Sequence, residues 1–344
     1  MTRARQLGIR CDGEPGPHNA ITDVPGVEVG YCTLVHGEGP LVVGQGPVRT
    51  GVTAILPRGR HGDLEAVFGG SFSLNGCGEM TGMAWLEESG HLEGPVLLTN
   101  TASVGAAHQA SIEWQLRQGY PQEFSLPVVA ETYDGWLNDI NGFHVRREHI
   151  FQALDTAASG PLAEGNVGGG TGMICFEFKG GTGTASRQTA LGTVGVLVQA
   201  NFGRRHQLLI HGLPVGQTLR QGLPVYAKAA PESGSIIVVV ATDAPLLPHA
   251  CKRLARRAAM GLARTGSIAG NSSGDLMLAF STANRVSDTT VRTVPIADMN
   301  DLFTATIQAT EEAILNALVA AESMVGRDGH QVARLPHADL QRLL

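Results

Sequence analysis

The run Ser235-Ile236-Ile237-Val238-Val239-Val240-Ala241-Thr242-Asp243 constrains this chain more than any other stretch, because from Ile236 to Ala241 it offers no polar face to water. A strand of that kind sits inside a sheet covered on both sides. It follows the turn-like residues Ala230-Pro231-Glu232-Ser233-Gly234, so a serine opens a buried strand directly behind a glycine. If the Gly234-Ser235 bond were cut, Ser235 would carry both a hydroxyl and a free α-amine, a nucleophile with its own base.

Other short β-branched or apolar runs, at 27–31, 52–56, 96–99, 126–130, 173–176, 194–198 and 276–280, read as strands of buried sheet. Helical patterns sit between them, near 103–117 closed by Gly119, 144–157 and 246–264. The clearest helix spans about 300–325, with Phe303, Ile307, Ile314, Leu318 and Val325 on one face and Gly326 as its stop. Interleaved strands and helices of this kind give an α/β or layered α+β chain. The stretch 222–234 separates the final third. It reads as an exposed processing loop and not as a domain linker, because two or three strands and two helices make no core of their own and must complete a sheet begun upstream.

Composition narrows the partners. The 344 residues, 43% of them hydrophobic, are ample for one large domain or two smaller ones. A net charge of -6 with no long basic stretch argues against nucleic acid or a polybasic membrane contact, and leaves a small molecule or peptide as ligand. Five cysteines without CxxC spacing suggest neither a disulfide framework nor a zinc site, and read as reduced thiols of the cytoplasm. Residues 1–8 lack the apolar run of a secretion signal, and no stretch approaches the roughly 20 apolar residues that span a bilayer. The 12 histidines show no HExxH pair, so no metal or cofactor is expected. Forty-five glycines, close to twice the usual share of about 7%, follow no period.

Three segments carry candidate chemistry. Gly270-Asn271-Ser272-Ser273-Gly274-Asp275 is a turn of small polar residues running into an apolar strand, able to present Ser273 and Asp275 at a strand mouth for holding or relaying a proton; the same residues are also ordinary turn formers. Asn201 ends the run Val198-Gln199-Ala200-Asn201, where its amide could donate to an oxyanion or simply form a turn. Glu131-Thr132-Tyr133-Asp134-Gly135-Trp136 sets two aromatics among acids after a strand, a pocket for a substrate ammonium or a polar loop. By contrast, the glycine run 168–172 continues as strand where a phosphate loop must open a helix.

Taken in order, these motifs resemble the L-aminopeptidase/D-esterase and β-peptidyl aminopeptidase family. The resemblance rests on residues 234–246, 270–275 and 279–284, and upstream on 20–27, 131–135, Gly170-Thr171-Gly172-Met173, Lys179-Gly180-Gly181 and 199–203, nearly the whole chain. It implies a four-layer α/β/β/α sandwich like that of N-terminal nucleophile hydrolases, a single domain of 1–344 cut between Gly234 and Ser235 into a large and a small subunit, and a homotetramer of the cleaved pairs. It also implies roles: Ser235 as nucleophile, Ser273 and Asp275 as second serine and acid, Asn201 as oxyanion donor and Tyr133 as active-site tyrosine. Glu131 and Trp136 would meet the substrate, a short peptide or aminoacyl amide or ester. Some members carry glutamate as the acid; Asp275 is one methylene shorter. The rivals are an acyltransferase of the ornithine acetyltransferase type, which uses threonine, and an uncleaved relative without chemistry.

Overall fold

The structure, a computed structural model, describes residues 2–62, 64–121, 123–219 and 233–344. Residues 222–232 of the expected processing loop lie outside the described residues. In chain order the elements that build the molecule are β1 (Glu28–His36), β2 (Val48–Leu56), β3 (Val67–Gly76), α1 (Met83–Ser89), β4 (His91–Leu92), β5 (Val96–Asn100), α2 (Val104–Arg117), β6 (Val128–Thr132) and α3 (Arg147–Asp155). They continue with β7 (Ile174–Cys175), β8 (Phe178–Lys179), β9 (Gly181–Thr189), β10 (Gly192–Asn201), α4 (Val215–Thr218), β11 (Ser233–Thr242), α5 (Pro248–Arg264), β12 (Ser272–Ser281) and α6 (Asn300–Ala320).

Two sheets result. One has the order β1-β2-β5-β6, the other β4-β3-β12-β11-β10-β9. The strand β11 is therefore central, parallel to β12 and antiparallel to β10, and α5 makes the crossover that a parallel neighbour requires. The strictly apolar run now has its reason. Ile236, Val238 and Val240 point to the side packed with α5 and α6, while Ile237, Val239 and Ala241 point to the other sheet, where they meet Val29, Ile55, Val96 and Leu98. Helices α2 and α3 cover the far side of the smaller sheet with Ala107, Trp114, Ile150 and Leu154. The result is the four-layer α/β/β/α sandwich expected from the resemblance. Two strands from the final third of the chain, β11 and β12, lie in the middle of a sheet whose other strands are all upstream.

Several boundaries differ from those read in the sequence. The helix expected to run to Val325 ends at Ala320, and Val325 is an exposed residue of a short C-terminal hairpin. The segment 173–176 is no long strand: Ile174–Cys175 pairs with Phe178–Lys179 in a small hairpin outside both main sheets, turned by Phe176 and Glu177 at positive φ. The strands β3 and β9 carry no clear strand pattern in the sequence, because glycine and hydroxyl residues dilute their apolar alternation. At Gly70 of β3, a Cβ would stand 2.6 Å from the Lys252 backbone nitrogen of α5, so the residue that hides the strand is the one that lets the helix lie on it.

Candidate active site

Register builds the site. On the three central strands Asn201 of β10 lies opposite Ser235 of β11, and Ser235 lies beside Gly274 of β12. Asn201 and Ser235 share the face of Leu197 and Ile237, toward the second sheet. One residue back, Gly234 is the register partner of Ser273, so Ser273 and Asp275 flank the Gly234-Ser235 peptide from the opposite face, that of Met277 and the helices. The peptide is thus bracketed from both sides of the sheet. Gly234 itself lies within the strand and not in a turn ahead of it, and its glycine serves close packing: a Cβ there would come within 2.6 Å of the Asn201 carbonyl oxygen.

The Ser235 hydroxyl is buried and donates to the Gly234 carbonyl oxygen at 2.6 Å, while its oxygen accepts the Gly274 N–H at 3.2 Å. Sequence alone gave no sign of that backbone donor. Ser273 donates to Asp275 Oδ1 at 2.6 Å, and Asp275 is fully buried. The Asn201 amide is held at both ends: Oδ1 accepts the Ile174 N–H at 2.8 Å and Nδ2 donates to the Tyr133 carbonyl at 2.9 Å. An amide nitrogen has two hydrogens, so among the described residues one remains to meet a ligand oxygen.

Glu131 lies next door. Gly78 stands between it and β12, for a Cβ at Gly78 would be 3.1 Å from Gly274 Cα and 3.3 Å from Glu131 Oε1. Glu131, 3% exposed at the end of β6, accepts the Glu79 N–H at 3.1 Å and the Thr101 hydroxyl. Burial raises its pKa above the usual carboxylate range, which those two donors partly oppose. Tyr133 contributes its carbonyl to Asn201, while its half-exposed ring lies over Gly135. Trp136 turns toward the C-terminal segment: its indole stacks on His330 at 3.8 Å, and its carbonyl accepts from His330 Nδ1 at 2.8 Å. The structure therefore gathers Ser235, Gly234, Ser273, Asp275, Asn201, the Tyr133 carbonyl and Glu131, and sets the Trp136 ring against His330.

No cluster of metal-ligating side chains occurs among the described residues. The glycine run 168–172 is a buried turn tied to the smaller sheet by the Thr33 and Thr53 hydroxyls, which accept the Gly168 and Gly169 N–H groups.

A two-sheet sandwich clad in helices, with a buried serine near the start of a central strand, is a variant of the N-terminal nucleophile hydrolase fold. The chain belongs to Peptidase family S58, whose profile matches residues 19–332. It is 53% identical to the beta-peptidyl aminopeptidase BapA of Sphingosinicella microcystinivorans, over 99% of this chain and 91% of that protein. Among solved structures, the L-aminopeptidase D-Ala-esterase/amidase of Ochrobactrum anthropi superposes with a TM-score of 0.93 at 45% identity, covering 100% of this chain and 98% of that one. That protein is described as a prototype of the serine aminopeptidases and a variant of the Ntn hydrolase fold. A Burkholderia sp. beta-aminopeptidase follows with a TM-score of 0.90 at 47% identity, covering 100% and 98%. This chain is thus an enzyme, a hydrolase of peptide bonds, and the match to a peptidase family favours hydrolysis over acyl transfer. No helix among the described residues is long and apolar enough to cross a membrane.

Proposed function

We propose that this chain is a self-processing serine aminopeptidase that cuts itself between Gly234 and Ser235 and then releases N-terminal residues from short peptides, amides or esters. The observation that carries the reading is the register that sets Ser235, Asn201 and the Ser273-Asp275 pair around one peptide bond. In the precursor, Ser235 Oγ attacks the Gly234 carbonyl carbon. The C–N bond breaks, the hydroxyl proton goes to the departing amine, and water hydrolyses the resulting ester to a Gly234 carboxylate and a free Ser235. Proximity supports this step, since the hydroxyl is already hydrogen-bonded to the oxygen of the carbonyl it attacks.

In the processed enzyme the α-amine of Ser235, with an ordinary pKa of about 7.7–8.0, takes the Oγ proton as Oγ attacks the substrate carbonyl. The free hydrogen of Asn201 Nδ2 meets the oxyanion, the leaving amine or alcohol takes the proton, and water then hydrolyses the acyl ester. Ser273 and Asp275 hold the α-amine from the other face. The substrate ammonium binds at Glu131, whose buried carboxylate gains a cation to balance its charge. Tyr133 borders the pocket and Trp136 backs it through the His330 stack. The working form is a homotetramer of cleaved pairs in the cytoplasm, with its five cysteines as free thiols.

One gel tests the reading. Purified wild type should run as two bands of roughly two thirds and one third of the length, and Ser235→Ala as one inactive full-length band. A single full-length wild-type band without aminopeptidase activity overturns it. Light scattering on the processed protein tests the tetramer.

A further inference from the structure

Lys179 is fully buried and forms no ion pair among the described residues. Its Nζ donates to two backbone carbonyls, that of Met173 at 2.8 Å and that of Gly180 at 2.9 Å. A buried ammonium without a carboxylate is costly, and here burial lowers the pKa to about 7. A methionine or leucine would fill the same space at no such cost, so the amine has a task that packing alone does not explain.

The Met173 carbonyl and the Ile174 N–H belong to one peptide unit. That unit is planar and trans, so its oxygen and its hydrogen point in opposite directions, and whatever fixes one aims the other. Lys179 grips the oxygen. The hydrogen of the same unit is the one that holds Asn201 Oδ1 at 2.8 Å. The unit is pinned further by the Gly180 N–H, which also donates to the Met173 carbonyl at 2.9 Å, while the Met173 side chain is held by the Thr132 hydroxyl, which donates to Sδ at 2.8 Å.

We propose that Lys179 is a positioning residue for the oxyanion donor, acting on Asn201 through the Met173-Ile174 peptide. The hydrogen bonds run in series: Lys179 Nζ–H to the Met173 carbonyl, the Ile174 N–H to Asn201 Oδ1, and Asn201 Nδ2–H toward the substrate oxygen. Each amide in such a chain is polarised by the one before it, so the donor at the end is stronger as well as better aimed. The inference rests on Asn201 being the oxyanion donor of the proposed reaction.

The test is Lys179→Met, which removes the donors and keeps the bulk, assayed on an aminoacyl p-nitroanilide that wild type turns over. Turnover is normalised to the processed fraction seen on the gel. We expect kcat to fall about 10- to 100-fold, as misaligned catalytic groups do, with KM within about twofold. In the Asn201→Ala background, Lys179→Met should add less than about twofold, because the group it aims is gone. The same cycle is run on the rate at which the two bands appear, so a slowly processed variant still reports. Lys179→Gln, shorter and uncharged, carries the cycle if the methionine variant does not accumulate as folded protein. A kcat within about threefold of wild type in the single variant, or losses that multiply in the double variant, overturns the proposal. Ser235→Ala run in parallel separates the two claims: an active Ser235→Ala sinks the reaction itself, whereas an inactive one beside an unimpaired Lys179→Met sinks only the role of Lys179.

Discussion

Halfway along the six-stranded sheet, β10, β11 and β12 place Leu197, Val239 and Leu278 side by side, all of them fully buried. Four residues away on the same strands and the same face, about 13 Å distant, stand Asn201, Ser235 and Gly274. Both rows are shielded from water, with Asn201 at 7% and Ser235 at 4% exposure. They are stabilised differently. An apolar row needs only volume filled, so its members are exchangeable within size. At the mouth every polar atom needs a particular partner, since a buried group left unpaired costs about 1–3 kcal/mol. Ile174 N–H, the Tyr133 carbonyl, Thr101 and the Glu79 N–H meet that need for Asn201 and Glu131. The mouth therefore trades stability for placement, which is where chemistry is expected.

The sharpest way to break this comparison is Asn201→Ala. Loss of one oxyanion donor costs about 3–4 kcal/mol in the transition state, so turnover of the processed enzyme should fall roughly 100- to 1000-fold, mostly in kcat. Steady-state kinetics on processed protein checks it. Near-normal turnover would move the oxyanion role elsewhere and make the mouth as exchangeable as the core.

The complementary change is Leu278→Ala, in the apolar row. A cavity there should cost about 2–5 kcal/mol of stability, read as a lower denaturation midpoint, while kcat per folded molecule stays within about twofold. If Leu278→Ala instead lowered kcat as far as Asn201→Ala with an unchanged midpoint, the two rows would not be distinct in kind.

Much of this contrast was legible in the sequence. The apolar run of β11 announced a strand covered on both sides, and small polar residues beside apolar strands marked Asn201, Ser273 and Asp275. Register was not legible, because nothing local to Asn201, Ser235 or Gly274 says that these three become neighbours; that follows from the sheet order. The strands β3 and β9 were hidden for a related reason, since glycine is favoured where a helix presses on a sheet and it erases the alternation that identifies a strand. In the sequence Lys179 stands out only as part of the motif Lys179-Gly180-Gly181. Its task lies in two carbonyls that sequence does not display.

The remaining prediction concerns pH and separates the buried amine from the rest of the core. The folded-state pKa of Lys179 is depressed to about 7, while an unfolded chain has the ordinary lysine value of about 10.4. Between these values the unfolded chain binds more protons than the folded one, so stability rises with pH, and the contribution is lost as pH falls through about 7. Lys179→Met has no such group. Its stability relative to wild type should accordingly be highest near pH 6 and shrink steadily toward pH 10, as followed by urea denaturation of both proteins at each pH. A constant difference across that range would mean that the ammonium is solvated and not held among carbonyls, and would remove Lys179 from the polar framework of the mouth.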